Sequence, residues 1–438
     1  MYIKPIHKSG YDVLVQPNIN EDGNLQPMVI NDRGKIIVDS YGYIWSAKAC
    51  PPGINCVGQK TQTAGIQEAL YYALNSIVTF NNEYGRSGTV YIKHGFYGID
   101  QPIKIQWNNN QLGTTVLGII GRSVNIYATN NFPSGENLLS FISPYSNLDV
   151  EIFGQIVLAG NSNVNAVLYT ENLQYLYTED LETDNGVYGR YHNNSTVFEL
   201  RPHSGSCLWG YYAINGNYVT LIYPGFYQNG NSNGDGGDIY VNTGSAIGAN
   251  IIGGFSYGGY GTAITIGWGK VSDYLITGNY NAGVRIVDNP YLAPPTLLIN
   301  NLFVQALNNN GTVFQISGNV RGTFSNIFIL NTNGSIANFI DNSGGYTMDL
   351  SIDNVFVLPG TTITNLLNGP ASNLKISNLR GIPISVTTPA VPSSGTAVTN
   401  TNPFSVLVYI YGGTVTQIQI TKAFGGSTYT VFSNATGL

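Results

Sequence analysis

Two acidic clusters have residue types that could carry out chemistry. The densest acidic run in the chain contains Glu179, Asp180, Glu182 and Asp184. A glycine-rich stretch adds Asp235 and Asp238. Paired carboxyl groups about 5 to 9.5 Å apart hydrolyse glycosidic bonds. If the protein is an enzyme, it is expected to be a polysaccharide lyase or glycoside hydrolase with catalytic residues drawn from Glu179, Asp180, Glu182, Asp235 and Asp238. The alternative, that both clusters are solvated loop charges, has the greater weight, because the sequence alone does not bring them together.

Metal and cysteine chemistry are less well supported. Asp235 and Asp238 suggest calcium, but calcium takes six to eight oxygen ligands and an isolated pair is a weak signal. We therefore expect no cofactor. Cys50 and Cys56 flank a five-residue segment and form a candidate disulfide, which leaves Cys207 alone. No further cysteine or nearby histidine completes a thiolate site, so no metal site is predicted.

Aromatic residues suggest a third kind of chemistry, the stacking of rings on sugars. The chain has 31 tyrosines, more than the interior of a narrow β-helix would hold, so some must be exposed. The candidate glycan-binding residues are Trp209, Tyr211, Tyr223, Phe226, Tyr227, Tyr257, Tyr260 and Trp268. For any single one of them, packing inside the fold is the alternative.

Composition excludes several functional classes. Only 10% of the 438 residues are charged, against about 25% in typical globular proteins. The net charge is −6 and the basic residues are scattered, which argues against nucleic-acid binding. The sequence contains no run of eighteen apolar residues, the length that a membrane-spanning helix needs. The composition suits an extracellular surface, yet residues 1–8 lack the apolar core of a secretory signal. A virion protein would reconcile these two observations, and a removed signal peptide is the alternative.

The stretch from residue 63 to 105 predicts the element that positions everything after it. Apolar residues recur at helical spacing from Ile66 to Ile77, and Thr63 is the expected N-cap. Short alternating strands follow, beginning near Gly88 and Pro102. A helix followed only by short strands predicts a lid on the open end of a β structure.

Four segments of this stretch and one that follows it carry a family resemblance: 66–70 (IQEAL), 88–92 (GTVYI), 95–97 (GFY), 102–105 (PIKI) and 117–121 (LGIIG). They resemble the N-terminal cap and first rungs of the pectate-lyase-like right-handed parallel β-helix superfamily. Lys93 and His94 depart from the pattern, which usually has a proline before the glycine. The resemblance implies an all-β, single-stranded right-handed parallel β-helix capped by an N-terminal helix. It does not imply an activity, because the family includes lyases, glycosidases, viral tailspikes and non-enzymes.

A repeat supports the solenoid. The segments 298–304, 323–329, 351–357 and 375–380 share an apolar-x-Asn-apolar pattern, and their asparagines lie 25, 28 and 24 residues apart. Coils of this size stack about 4.8 Å apart, giving about a dozen coils and a rod of roughly 60 Å. Asparagine tolerates the left-handed turn conformation, and its amide can bond to the next coil. Residues 169–184 and 223–238 fit the repeat poorly and are expected to form, in part, projecting loops.

The predicted domains are an N-terminal attachment or leader module (1–62), the β-helix (63–382), a linker (383–400) and a C-terminal β module (401–438). The strands expected in the last are 406–411, 415–420 and 428–432. This module resembles the small β-sandwich-like C-terminal modules of viral tail fibres and spikes, which are often trimeric. The resemblance implies oligomerisation or glycan binding.

Together these features predict a viral spike or tail fibre at the virion surface. It would be a homotrimer joined to other virion proteins through its N-terminal module, and it would attach to host cells by binding surface glycans. The composition is also similar to that of surface proteins of thermoacidophile viruses, which implies acid tolerance. The alternatives are a polysaccharide depolymerase on the same scaffold and a cellular surface-layer or filament subunit.

Overall fold

The computed structural model describes residues 12–19, 25–76, 86–108, 114–216, 218–242, 248–288, 296–332, 334–381, 414–421 and 428–436. Residues 1–385 form one compact unit and residues 386–438 a second. The predicted linker and the predicted strand 406–411 lie outside the described residues.

The described elements comprise one α-helix, one short 3-10 helix and 33 strands. The α-helix α1 is Ile66–Asn75 and the 3-10 helix is Ala47–Ala49. The first strands are β1 Asp12–Ile19, β2 Leu25–Asn31, β3 Ile36–Val38, β4 Arg86–Ile92, β5 Gly95–Ile99, β6 Ile103–Gln106, β7 Thr115–Gly121, β8 Val124–Ala128, β9 Leu139–Ile142, β10 Leu148–Ala159, β11 Ala166–Glu171 and β12 Tyr175–Asp184. Next come β13 Tyr188–Asn193, β14 Thr196–Leu200, β15 His203–Gly205, β16 Trp209–Ile214, β17 Tyr218–Ile222, β18 Gly225–Tyr227, β19 Gly237–Asn242, β20 Ala249–Ile252, β21 Phe255–Tyr257, β22 Thr262–Ile266 and β23 Gly269–Thr277. The last are β24 Ala282–Val287, β25 Thr296–Ala306, β26 Thr312–Ser317, β27 Val320–Ile329, β28 Ser335–Asp341, β29 Met348–Val357, β30 Thr362–Asn368, β31 Asn373–Arg380, β32 Thr414–Thr421 and β33 Thr428–Thr436.

The strands from β4 to β31 form the parallel β-solenoid that the repeat predicted, and the solenoid has three faces. Face A contains β4, β7, β14, β17 and β20, and face B contains β5, β8, β15, β18 and β21. Strands β10, β12, β23, β25, β27, β29 and β31 turn the corner and serve both faces. Face C is a separate parallel sheet of 11 strands, β6, β9, β11, β13, β16, β19, β22, β24, β26, β28 and β30. The number of described coils therefore agrees with the expected dozen.

Aliphatic side chains stacked in register fill the interior. One inward column of face A shows this, with one member from each of ten successive coils: Ile152, Thr178, Glu199, Leu221, Ile251, Val271, Ile299, Phe324, Ile352 and Ile376. No single coil could shield these side chains from water, so burial on stacking drives the coils together. The exceptions are Thr178 and Glu199, which are polar and fully buried in an otherwise apolar column.

The corner between faces A and B confirms the role predicted for asparagine. Asn301, Asn326, Asn354 and Asn378 all lie there with φ of 53°, 55°, 55° and 51°, the left-handed conformation. The amide of Asn326 donates to Oδ1 of Asn301 (2.9 Å), and that of Asn354 donates to Oδ1 of Asn326 (3.2 Å). The same corner is occupied earlier in the chain by Asp180, with φ of 55°. Asparagine suits the position because it accepts this backbone conformation and bonds to the next coil.

The predicted lid is present, but its N-cap differs. The cap is Gly65, which has a φ of 74° and makes no side-chain cap bond. The Thr63 hydroxyl instead donates to the buried carboxyl group of Glu68 (2.8 Å). Ile66 and Leu70 line the same apolar cavity as Ile152 from the coil interior. The helix thus covers the apolar end of the solenoid. Ile77, the last residue of the predicted apolar face, lies outside the described residues.

The leader strands belong to the same compact unit as the solenoid, and the attachment role of residues 1–62 stays a prediction. β1 pairs in parallel with β4, and β2 pairs antiparallel with both β1 and β3. The predicted boundary at residue 62 therefore does not separate two compact units. Cys50 and Cys56 form the expected disulfide, with Cα atoms 5.5 Å apart, and Cys207 is a buried free thiol.

The expectation of projecting loops was wrong for residues 169–184 and partly right for 223–238. Residues 175–184 form strand β12, which turns the corner at Asp180 and whose inward Leu176 and Leu181 are flanked by outward side chains. The outward acidic and tyrosine residues had hidden the strand pattern. In 223–238, a loop separates β18 from β19.

In the second unit, β32 and β33 pair antiparallel. These two strands correspond to the predicted strands 415–420 and 428–432, and together they form a hairpin. In the part of the chain that the structure describes, no helix is both long and apolar enough to cross a bilayer.

Candidate functional site

Six aromatic side chains form a continuous outward surface on face C. We call this surface the aromatic patch, and its members are Tyr169, Tyr188, Tyr191, Trp209, Tyr212 and Tyr240. Strand register places Tyr169, Tyr191, Tyr212 and Tyr240 on four successive coils. Their ring centroids are 5.4, 5.2 and 4.5 Å apart along the column. The parallel stacking of coils therefore converts distant tyrosines into one ladder.

A second, shorter aromatic column widens the patch. Tyr188 and Trp209 are paired in register at the start of their strands. The Tyr188 ring lies 5.0 Å from the rings of both Tyr191 and Tyr212, and Trp209 lies 5.5 Å from Tyr240. Each ring therefore packs against neighbours from its own or the adjoining coil. Such packing fixes the rotamers before any ligand arrives, which lowers the entropic cost of binding.

The patch residues are half-buried, with part of each ring open to solvent. Burial, followed by the neighbouring Tyr240 hydroxyl, raises the pKa of Tyr212 to about 12. The Tyr169 hydroxyl donates to Oε2 of Glu171 (2.8 Å). At neutral pH the Tyr212 hydroxyl therefore stays protonated and is able both to donate and to accept hydrogen bonds.

The predicted glycan-binding residues separate into three groups. Trp209 belongs to the aromatic patch. Tyr223, Tyr227, Tyr257 and Tyr260 are exposed outside it, and Trp268 is partly buried. Tyr211 and Phe226 are corrections, because both are fully buried in the coil interior and cannot contact a glycan. The inward or outward direction of a side chain depends on its position in the strand, which the corner bulges shift.

Sequence reasoning missed Tyr169, Tyr188, Tyr191, Tyr212 and Tyr240 as binding candidates. A usable signal was present, because four of these tyrosines recur at intervals close to one coil. Placing the poorly repeating region in loops concealed that recurrence.

The acidic run divides between two faces. At the A–B corner, the Arg201 guanidinium bonds to Asp180 (2.5 Å) and to Glu179 (2.8 Å). These hydrogen bonds lower the pKa of Asp180. Both carboxylates are therefore engaged in an ion-pair network between coils, which favours a structural role over a catalytic one.

Glu182 and Asp184 lie together on the outward side of face B. Their positions are paired in register with His203 and Gly205 of the next coil. Burial, followed by the charge of Glu182, raises the pKa of Asp184 to about 6. The ring of Tyr227, one further coil along, packs edge-on against His203 at 6.0 Å. This is a carboxyl pair beside an aromatic surface.

The structure does not join Asp235 and Asp238 into one site. Asp235 is exposed, and its loop is closed by bonds between Asp235 and Asn231. Asp238 is fully buried and accepts hydrogen bonds from Asn229 (2.9 Å) and from the Tyr280 hydroxyl (2.5 Å). Buried Asp238 cannot reach a polysaccharide. Among the described residues, no group of three or more metal-ligating side chains of the His, Cys, Asp or Glu type occurs.

A second buried polar group lies under the aromatic patch. Arg190 and Glu199 are fully buried and paired, with Nε 3.0 Å from Oε2. Arg190 also donates to the backbone oxygens of Leu181 (2.6 Å) and His203 (2.7 Å). Burial, followed by the charge of Arg190, lowers the pKa of His192 to about 3, so its ring is neutral. This group is shielded from solvent by the strands that carry the patch.

Comparison with known proteins finds a distant structural likeness to a viral protein. No family model matches the sequence, and no curated protein matches it significantly. Among solved structures, ORF18 of Geobacillus virus E2 is similar, with 14% identity and a TM-score of 0.41. The match covers 72% of this chain and 58% of that viral chain. Membership of the pectate-lyase-like superfamily stays a prediction.

Proposed function

We propose that the protein is a viral surface protein that attaches to host cells by binding surface glycans through the aromatic patch. One observation carries this proposal, namely the six packed aromatic rings on the outward side of face C. Contiguous apolar surface of this kind marks binding sites more often than inert surface. Tyrosine and tryptophan supply an apolar face for the C–H surface of a sugar and a polar group at the edge.

The solenoid suits such a role because it holds the rings rigidly. The backbone of every patch residue belongs to a strand hydrogen-bonded on both sides. The ladder runs along the stacking direction of the coils, so an extended oligosaccharide can contact several rings in succession. Location at the virion surface, assembly as a homotrimer and attachment to other virion proteins through the N-terminal residues belong to the same proposal.

A glycan-binding titration of the full-length protein tests the patch. Tyr212→Ala removes the central ring, and we expect at least about fivefold weaker binding, since stacking contributes about 1 kcal/mol or more per aromatic contact. Phe328→Ala is the matched control, because Phe328 also lies outward between two aromatic neighbours, Phe303 (6.3 Å) and Phe356 (5.0 Å), on face B. Equal loss of affinity in both variants would contradict the assignment of the site to face C.

Polysaccharide cleavage is the second candidate function, and the Glu182–Asp184 pair favours it. A carboxyl group with a raised pKa beside a second carboxylate matches the acid and base roles of glycoside cleavage. Asp184→Asn and Glu182→Gln would then abolish the release of reducing ends from host polysaccharide, with Glu179→Gln as the control at the ion-paired corner. Retained cleavage in both variants would exclude this site.

The alternative of a cellular surface-layer or filament subunit is tested by the native assembly. Mass and symmetry measurements of the native particle would show a discrete trimer for a spike. An open-ended array would support the alternative, and a monomer would contradict the spike.

A further inference from the structure

We infer that the aromatic patch selects uncharged glycans and discriminates against acidic ones. This inference rests on the glycan-binding function proposed above and adds the ligand class. It follows from where charged side chains lie around the patch.

The charges next to the patch are negative. Glu171 lies on the same strand as Tyr169 and accepts the hydrogen bond of its hydroxyl group. Asp184 ends the preceding face B strand, four residues before Tyr188 opens the next strand of face C, and Glu182 lies two residues before Asp184. A carboxylate or sulfate on a ligand stacked against the rings would therefore approach a like charge.

The cations of face C lie farther away. In register along the same outward column, Lys104 is two coils before Tyr169, with Ser140 between them. Arg285 is two coils beyond Tyr240, with Thr265 between them. Two coils correspond to roughly 10 Å, about one Debye length at 0.1 M salt. Tyr191 and Tyr212, at the centre of the patch, lie one coil farther from them, so a ligand centred there is beyond one Debye length and the two cations are largely screened from it.

Arg190 is the one cation on a patch strand of face C in the described part of the chain, and it is not available. Its side chain points inward, is fully buried and is paired with Glu199. The nearest outward polar groups are the tyrosine hydroxyls and the amide of Asn193, whose Oδ1 accepts a hydrogen bond from the Asn215 amide (3.1 Å). Hydroxyl and amide groups satisfy the hydrogen bonds of neutral sugars and do not offset an anionic charge.

The size of the effect follows from Coulomb's law. Two like charges about 4 Å apart in a water-like medium repel by about 1 kcal/mol, which corresponds to about fivefold weaker binding. We therefore expect an acidic glycan to bind at least about fivefold more weakly than its uncharged counterpart at low salt. Screening should narrow this gap at high salt.

The test uses a glycan array in which each uncharged oligosaccharide is printed beside its sialylated or sulfated derivative. The best pair is then titrated against the full chain in 50 mM and 500 mM NaCl. Glu171→Gln removes the nearest charge and should strengthen binding of the acidic member about fivefold, leaving the neutral member unchanged. Lys104→Gln, at the screened end of the column, is the matched control and should change neither member.

The outcomes separate this inference from the function on which it rests. The inference would be overturned if the acidic member bound more tightly than the neutral member, and if that binding became weaker at high salt and in the Lys104→Gln variant. Glycan binding itself would remain intact in that case. Binding of both members that is unaffected by Tyr212→Ala would overturn the patch itself. A preference for the neutral member that disappears in Glu171→Gln supports both.

Discussion

Replacing the buried carboxyl group of Asp238 should change how stability depends on pH. Asp238 is fully buried, and burial raises its pKa from 3.8 to about 6 against the opposing effect of its hydrogen bonds to Tyr280, Ser256 and Asn229. A carboxyl group with a raised folded-state pKa binds its proton more tightly when folded. Its stabilisation is therefore complete below the unfolded pKa and is lost as pH rises through about 6.

The magnitude follows from the two pKa values. A change from 3.8 to about 6 corresponds to about 3 kcal/mol of unfolding free energy. Asp238→Asn keeps the shape and does not titrate, but it disturbs the bond from the Tyr280 hydroxyl at a cost of about 1 kcal/mol. Relative to the wild type, the variant should therefore be less stable at pH 3.5 and gain about 3 kcal/mol between pH 3.5 and pH 7.5.

The assay is urea-induced unfolding of both proteins across this pH range. The difference between the two proteins is the useful quantity, because His192, whose pKa burial lowers to about 3, contributes to the wild-type profile with the opposite sign. Asp235→Asn, at an exposed position three residues earlier, controls for the loss of one acidic residue from the same segment. Parallel pH profiles for the wild type and Asp238→Asn would refute the reasoning, since they would mean that Asp238 titrates alike in the folded and unfolded chain.

Two further changes test the buried ion pair and the asparagine ladder. Glu199→Gln leaves the buried Arg190 guanidinium without its counter-ion and should cost about 3 to 5 kcal/mol, whereas Arg190→Met combined with Glu199→Leu should cost clearly less. Denaturant titration checks this, and an equal cost for the single and double variants would contradict it. Asn326→Ala should cost about 1 to 2 kcal/mol through left-handed strain and lost amide bonds, and Asn326→Gly should cost less. Thermal melts compare the two, and a glycine variant weaker than the alanine variant would argue against backbone strain.

The raised pKa values of Asp149, Asp184 and Asp238, each about 6, bear on the predicted acid tolerance. Each contributes stability that is present at low pH and lost as pH rises through about 6. His192 and Asp180 contribute stability that is lost as pH falls, because the folded-state pKa of each is lowered. Protonation of Asp180 also breaks its ion pair with Arg201. Acid tolerance is therefore a balance between these two sets of groups.

The sequence by itself determined the solenoid, because its signals are local and repeat once per coil. The αL-tolerant asparagines at 301, 326, 354 and 378, the alternating strands and the capping helix each follow from short-range preferences that neighbouring coils reinforce. The Cys50–Cys56 disulfide is local in the same sense. These features could be predicted without knowing which residues meet in space.

Only the tertiary structure decided which side chains share a surface. Tyr191 and Tyr211 belong to the same kind of tyrosine-rich strand, yet one ring joins the aromatic patch and the other is buried in the interior. A shift of one residue at a corner reverses the direction of every side chain that follows, and sequence patterns do not locate such shifts reliably. The acidic run was divided in the same way, with Asp180 paired to Arg201 at a corner and Asp184 beside Glu182 on face B. Coil stacking sets these contacts, since it places residues about one coil apart in the chain within contact distance of each other.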